Sequence, residues 1–178
     1  ERTADQVVGA ALDWISARPG KWFSWVHVFD PHDPYTPPEP FRTEYADDPY
    51  SGEVAFVDAE LGRLFEALER TGALAKTVVI LTSDHGEAFG EKEEFRHGFF
   101  AYDNTLHVPL LVHVPGAGPA TVTGNACHVD ILPTVCDILG IPVPAQAQGE
   151  SLLPLVAGRP RRKPLIYFES MSPYLTLG

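Results

Sequence analysis

The chain has 178 residues, 44% hydrophobic and 21% charged, proportions that suit one globular domain and exclude a wholly disordered, collagenous or coiled-coil chain. Thirteen Lys and Arg stand against 24 Asp and Glu, and the resulting net charge of −11 makes the chain a poor non-specific partner for nucleic acid. No apolar run reaches membrane-spanning length, and two cysteines, Cys127 and Cys136, are too few for a disulfide framework.

The first predicted element is a helix. Thr3-Ala4-Asp5-Gln6 fits a capping box, Val8, Ala11, Leu12 and Ile15 recur at helical spacing, and Arg18-Pro19-Gly20 stops it. Trp22 to Phe29 is short, aromatic and β-branched, which predicts a buried strand. Asp30 to Pro49 holds six prolines and no usable period, so a long ordered loop of the functional kind is expected there. Val54, Val57, Leu61, Leu64 and Leu68 then form the apolar stripe of a second helix, with Gly72 suited to its C-terminal cap.

Thr77 to Thr82 is nearly continuous in apolar residues and is expected to be buried on both faces of a parallel sheet. Ser83 to Asn104 is polar and contains Gly and His. Val108 to Val114 returns to strand, Asp130 is expected to cap a helix through Leu139 that Gly140 ends, and Leu165 to Phe168 reads as a last strand. Strands alternating with helices predict an α/β fold.

Sites in α/β sheets form beyond the carboxyl ends of strands. Two polar clusters fall there: Asp30-Pro31-His32-Asp33-Pro34-Tyr35 and Ser83-Asp84-His85-Gly86. If the strands run parallel, both come out on one edge. Gly86 permits the turn that lets Asp84 and His85 face one ion, and oxygen plus nitrogen ligation suits zinc, manganese or magnesium better than calcium. The competing reading is a strand-end turn whose Asp bonds backbone amides. His32, held between Pro31 and Pro34, has the chemistry to give a proton to a leaving group, and His97 follows the charged run Glu91 to Glu94. Taken singly, each is equally an exposed loop histidine. His27 and His113 lie in strand-like runs and read as core or sheet-face residues, whereas His107 and His128 stay undecided.

Several segments together resemble the sulfatase family of the alkaline phosphatase superfamily. Thr82-Ser83-Asp84-His85-Gly86-Glu87-Ala88-Phe89-Gly90-Glu91 is similar to that family's second metal-binding motif. The likeness continues through Arg96 to Asp103, Leu106 to Val112, and His128-Val129-Asp130-Ile131-Leu132-Pro133-Thr134-Val135 with Leu139-Gly140-Ile141. Upstream, His32-Asp33-Pro34-Tyr35 looks like the His-x-Pro-Tyr loop, so the resemblance spans about Trp25 to Leu155, with its motifs in the family's order.

The resemblance implies an alkaline phosphatase-like α/β/α sandwich. It implies a divalent cation (calcium, manganese, magnesium or zinc) on Asp84 and His85. It also implies a role for His32 on the leaving-group side of an anionic sulfate or phosphate ester, and contact of His97 with the sulfate oxygens. His107 stands where many members have Arg and receives no role. The family's nucleophile is a formylglycine made from Cys or Ser in Cys/Ser-x-Pro-x-Arg. Cys127 is followed by His128-Val129-Asp130 and Cys136 by Asp137-Ile138-Leu139, so neither fits, and the family's first acidic ligand pair is also missing. Residues 1–178 are therefore expected to be one partial, C-terminal piece of such a catalytic domain, silent by itself, with a truncated sheet edge that favours self-association. The alternatives are a phosphoester or phosphonate hydrolase or phospho-group transferase of the same superfamily, which share Asp-His ligation, and a non-catalytic binding domain that keeps the fold.

Overall fold

Helix α1 (Ala4–Ser16) opens the chain in the computed structural model, which describes residues 2–160 and 166–171. Thr3 occupies its N-cap position, but its hydroxyl donates to Asp5 Oδ1 at 2.5 Å and caps no backbone N–H, so the expected capping box does not form. After it, Trp22 to Phe29 is extended but belongs to no ladder. Burial alternates residue by residue, as in a strand, with Phe23 and Trp25 each 79% exposed. The buried strand expected there is corrected to an unpaired extended segment: the side-chain period is present, but among the described residues no neighbour supplies the hydrogen bonds that make a strand.

The proline-rich stretch contains one helical turn, α2 (Phe41–Glu44). Helix α3 (Pro49–Arg70) then begins with Pro49 at its first position and Asp48 as N-cap, whose side chain accepts from the Ser51 N–H. Gly72, at φ 69°, lies just beyond its end. Val8, Leu64 and Leu68 form the packed centre of α1 on α3, with Leu12, Ile15, Trp22, Ala73 and Leu74 around them. The apolar stripe of α3 turns partway along. Val54 is exposed, while Gly52, Glu53 and Phe56 are buried. These first turns face the 30–45 segment, not α1: Phe56 packs on Phe41 with ring centroids 5.8 Å apart.

The chain divides into two compact units, residues 1–78 and 79–178, and the second begins with strand β1 (Val79–Thr82). A short hairpin follows, β2 (Ala88–Phe89) and β3 (Phe95–Arg96), paired Ala88 to Arg96 and Phe89 to Phe95. Its tip holds Gly90 at φ 111° and two non-glycine residues at positive φ, Lys92 and Glu93, with Arg96 a third just after. Helix α4 (Asp103–Leu106) leads to β4 (Leu110–His113), which pairs antiparallel with β1, from Thr82 opposite Leu110 to Val79 opposite His113. The parallel, doubly buried strand expected over 77–82 is thus corrected: every residue of β1 keeps partial exposure, and an apolar run does not encode the direction of its partner.

Helix α5 (Ile131–Leu139) ends at Gly140, which is left-handed at φ 64° as expected. Asp130 sits at its N-cap position without capping it. Wholly buried, its carboxylate instead accepts from Cys127 N at 2.9 Å and Glu150 N at 3.0 Å. Thr134 extends the tie, donating to the Asp130 carbonyl at 2.7 Å and accepting from Leu152 N at 2.9 Å. A last turn, α6 (Leu153–Val156), follows. Of the final predicted strand, Leu165 lies outside the described residues and Ile166 to Phe168 join no ladder. Among the described residues no helix is long and apolar enough to cross a membrane.

Candidate functional site

The end of β1 is shaped by a close approach of backbones. Gly86 N donates to the Thr105 carbonyl at 2.8 Å, and a Cβ on Gly86 would stand 2.1 Å from the Asn104 carbonyl oxygen. Only glycine passes α4 this closely. The turn is closed by the Ser83 hydroxyl, which donates to the His85 carbonyl at 2.5 Å. It brings two side chains that a straight strand would send to opposite faces to one side, with His85 Nε2 3.6 Å from Asp84 Oδ2.

His85 Nδ1 lies 2.8 Å from the Gly86 carbonyl oxygen. A carbonyl only accepts, so Nδ1 carries the hydrogen, and in the neutral ring Nε2 has its lone pair for a ligand. Two donors on one ion at about 2.1 Å and near-tetrahedral angles lie ~3.4 Å apart, close to the observed spacing. The pair therefore fits a divalent cation as two corners of a shell. Both side chains face solvent, Asp84 at 79% exposure. Among the described residues no three His, Cys, Asp or Glu side chains gather to complete such a shell.

The hairpin brings in His97. One step beyond the Ala88–Arg96 pair, its register sets Glu87 opposite His97. Glu87, with its side chain only 9% exposed, receives His97 Nδ1 at 3.1 Å on Oε1. The His97 ring then stacks on His85 with centroids 3.8 Å apart. The His97 ring is thus held between a carboxylate and the ring of the candidate ligand. At the hairpin tip, the Phe89 N–H donates to Glu91 and holds its carboxyl below the usual carboxylate range.

His128 closes the site from behind. Its Nε2 donates to the Ser83 carbonyl at 2.8 Å, one residue before Asp84, and lies 3.4 Å from the Thr82 hydroxyl. Glu87 and His128 were not singled out as site residues in the sequence. The hairpin register is the signal that finds Glu87, but two-residue strands leave no period from which to read it. For His128 the signal is its place at the head of the family-like segment His128 to Val135, which by itself assigns no role.

His32 belongs to the first unit, where the 30–37 loop lies against α3. Its ring stacks on Phe29 with centroids 4.2 Å apart, and Nδ1 lies 2.7 Å from the Asp33 carbonyl oxygen, which makes Nδ1 the donor and Nε2 the proton-exchanging nitrogen. His27, His107 and His113 are exposed; of the core or sheet-face readings, His113 takes the sheet face in β4, and His27 lies in the unpaired 22–29 segment. Neither cysteine is presented as a nucleophile. Cys136 is buried in α5, and the Cys127 thiol lies 3.3 Å from Asp130 Oδ2, which it hydrogen-bonds.

Comparison with known proteins places the chain in a family. A family model described as Sulfatase matches residues 2–141. Arylsulfatase K of Bos taurus is 44% identical over 106 residues, an alignment covering 59% of this chain and 19% of that protein, so the chain spans about a fifth of the length of the curated relatives it matches. Among solved structures, the phosphonate monoester hydrolase of Agrobacterium radiobacter superposes with a TM-score of 0.76 at 23% identity over 91% of this chain and 44% of that one. The protein yidJ of Bacteroides fragilis gives 0.80 at 20% identity over 91% and 43%. At such identities the likeness speaks for the fold, which is alkaline phosphatase-like α/β. With the Asp84-His85 turn, the His97 hairpin and the His128 to Leu139 segment all inside the matched range, the chain belongs to the sulfatase family.

Proposed function

We propose that this chain is the part of a sulfuric ester hydrolase that supplies two metal ligands and the proton donor, its formylglycine nucleophile lying outside residues 1–178. The observation that carries the reading is the turn at the end of β1, where a carboxylate and an imidazole nitrogen stand 3.6 Å apart with a second imidazole stacked behind. Asp84 and His85 Nε2 would hold the divalent cation. A cation there supplies polarisation of the sulfuryl oxygens and favours the ionised nucleophile.

His97, with Nδ1 on Glu87, offers Nε2–H to the oxygens of the transferring group when doubly protonated, and Glu87 balances that charge. His32, when doubly protonated with Nδ1–H on the Asp33 carbonyl, gives the Nε2 proton to the departing alkoxide as the sulfur–oxygen bond breaks and is left as the neutral Nδ1–H tautomer. The thiols cannot replace the missing nucleophile, because one is buried and the other is bonded to a carboxylate. Residues 1–178 alone are therefore catalytically silent, and the substrate is an anionic sulfate ester.

The test has two arms. The chain by itself, assayed on an aryl sulfate and an aryl phosphate with manganese, calcium or zinc, should turn over neither above a His85→Ala control. The coding sequence around the chain should carry Cys or Ser in Cys/Ser-x-Pro-x-Arg, and the protein containing both should hydrolyse the aryl sulfate and lose that activity in Asp84→Asn. A threonine nucleophile without that motif, with turnover of the phosphate instead, would move the protein to the phosphoester branch of the superfamily.

A further inference from the structure

Glu53 is a charged residue where a helix normally buries an apolar one. It lies in the second turn of α3, is 3% exposed, and among the described residues forms no ion pair with lysine or arginine. A carboxylate in such a place is costly unless hydrogen bonds replace its water. Here the replacement comes from one short loop. Oε2 accepts from His32 N at 2.9 Å and Oε1 accepts from Thr36 N at 2.7 Å. Both are backbone donors to an ionised acceptor, the stronger class of hydrogen bond. They enclose the turn His32 to Thr36, so a single side chain grips that turn at both ends.

The residues around Glu53 fit the loop to the same place. A Cβ on Gly52 would meet Pro37 Cγ at 2.9 Å and Tyr45 Cβ at 3.1 Å, so the helix carries no side chain where the loop crosses it. One turn earlier on the helix, Tyr50 meets Tyr35 edge-on with centroids 5.4 Å apart. The His32 ring is oriented by Phe29 and by the Asp33 carbonyl, both within the loop's own neighbourhood. Those contacts set which way the ring points. The Asp33 contact lies inside the turn that Glu53 holds at both ends, so loosening the turn loosens the ring as well.

We propose that Glu53 is a positioning residue for His32: its buried carboxylate bridges the His32 and Thr36 amides and fixes the place from which the imidazole delivers its proton. The proposal rests on the reading of His32 as the leaving-group acid. Proton transfer requires hydrogen-bond reach, and a displacement of about 1 Å costs on the order of a hundredfold in rate, so a loop carrying a proton donor gains from such a clamp.

Amide hydrogen exchange and imidazole nitrogen-15 spectra of the full chain test it, for the wild type and for Glu53→Gln. The glutamine keeps the shape but replaces one acceptor oxygen by an N–H₂ aimed at an N–H. In the wild type, the His32 and Thr36 amides should exchange at least about tenfold more slowly than unstructured chain, and the His32 ring should show one tautomer, with hydrogen on Nδ1. In Glu53→Gln, at least one of the two amides should exchange about ten- to a hundredfold faster. The ring signature should become averaged, while the amides of Val8, Leu64 and Leu68 stay unchanged. A structural brace without a positioning role would leave the ring signature intact. Unprotected wild-type amides would overturn the proposal, as would a variant with unchanged loop and ring. If the variant loses its core protection too, the wild-type amides and ring decide alone. The role of His32 is read in a separate assay: full turnover by His32→Ala in the nucleophile-containing protein would overturn both that role and the purpose of the clamp, and the exchange data would show which of the two had failed.

Discussion

The two histidine-bearing loops are built in different ways. The 30–37 loop is held at a distance in sequence, by Glu53, 21 residues beyond His32. The 83–98 segment is held mainly at its backbone: Gly86 slides past Asn104, the hairpin register sets Glu87 against His97, and the Ser83 carbonyl takes His128, 45 residues on. The first loop rests on a buried carboxylate, whereas Asp84 in the second is mostly in water. The difference suits the chemistry proposed for them. A proton donor has to be in place before the substrate arrives, while ligands of a hydrated cation can stay solvated until the ion draws them together. It also predicts different weaknesses. The first loop fails at the remote α3 residues it rests on, Glu53 and Gly52. The second fails at any residue that pushes its crossing backbones apart.

The largest effect should follow from Gly86→Ala. Its methyl group meets the Asn104 backbone, which has no flexible end to yield, so residues 79–113 should lose about 3 kcal/mol of stability by amide exchange. The tryptophans, Trp14, Trp22 and Trp25, all lie in the first unit, so their fluorescence on urea unfolding should be unmoved if the weakness is local. Asp130→Ala comes next. It leaves the Cys127 and Glu150 amides without their acceptor and should cost about 2–3 kcal/mol, again in the second unit, with protection lost around 127–130 and 150.

Gly52→Ala turns the comparison round. Its new methyl group presses on Pro37 and Tyr45 side chains, which yield more readily than backbone, so about 1–2 kcal/mol should be lost, now visible in tryptophan fluorescence. A loss equal to that of Gly86→Ala would erase the distinction between the two loops. The smallest effect is one of pH. The Ser51 hydroxyl and then its N–H hold the Asp48 carboxyl below the usual carboxylate range. A depressed folded value stabilises the first turn of α3 above the unfolded pKa near about 4, and that contribution fades as pH falls through the lower folded value. The Ser51 amide shift, followed by NMR, should titrate below pH 4, and Asp48→Asn should abolish the titration.

Much of this was legible in the sequence, for physical reasons that differ by element. α1, α3 and α5 are long enough to show a helical period, and Gly72 and Gly140 mark their ends because a left-handed residue favours glycine. Asp84, His85 and His97 can be proposed from the sequence because they fall close together in one polar stretch between strands. Trp22 to Phe29 shows strand alternation truly, but alternation does not say whether a partner lies alongside. The β2–β3 hairpin was illegible because each strand is two residues long, and with it went Glu87. Glu53 was hidden by the helix itself: a lone glutamate among apolar neighbours reads as one more surface residue until the loop that buries it is seen. The antiparallel partner of β1 could not be read either, since pairing direction is a property of two segments together.

The central claim is that Asp84 and His85 share one divalent cation, and a paramagnetic ion tests it most directly. Manganese titrated into the chain should broaden the NMR signals of Asp84 and His85 first, then those of Glu87 and His97, with an affinity on the order of millimolar, as befits two protein donors. The pattern should vanish in the Asp84→Asn, His85→Ala double variant. Broadening centred instead on Asp47 and Asp48, or on Glu91 to Glu94, with the Asp84 and His85 signals sharp, would contradict the account.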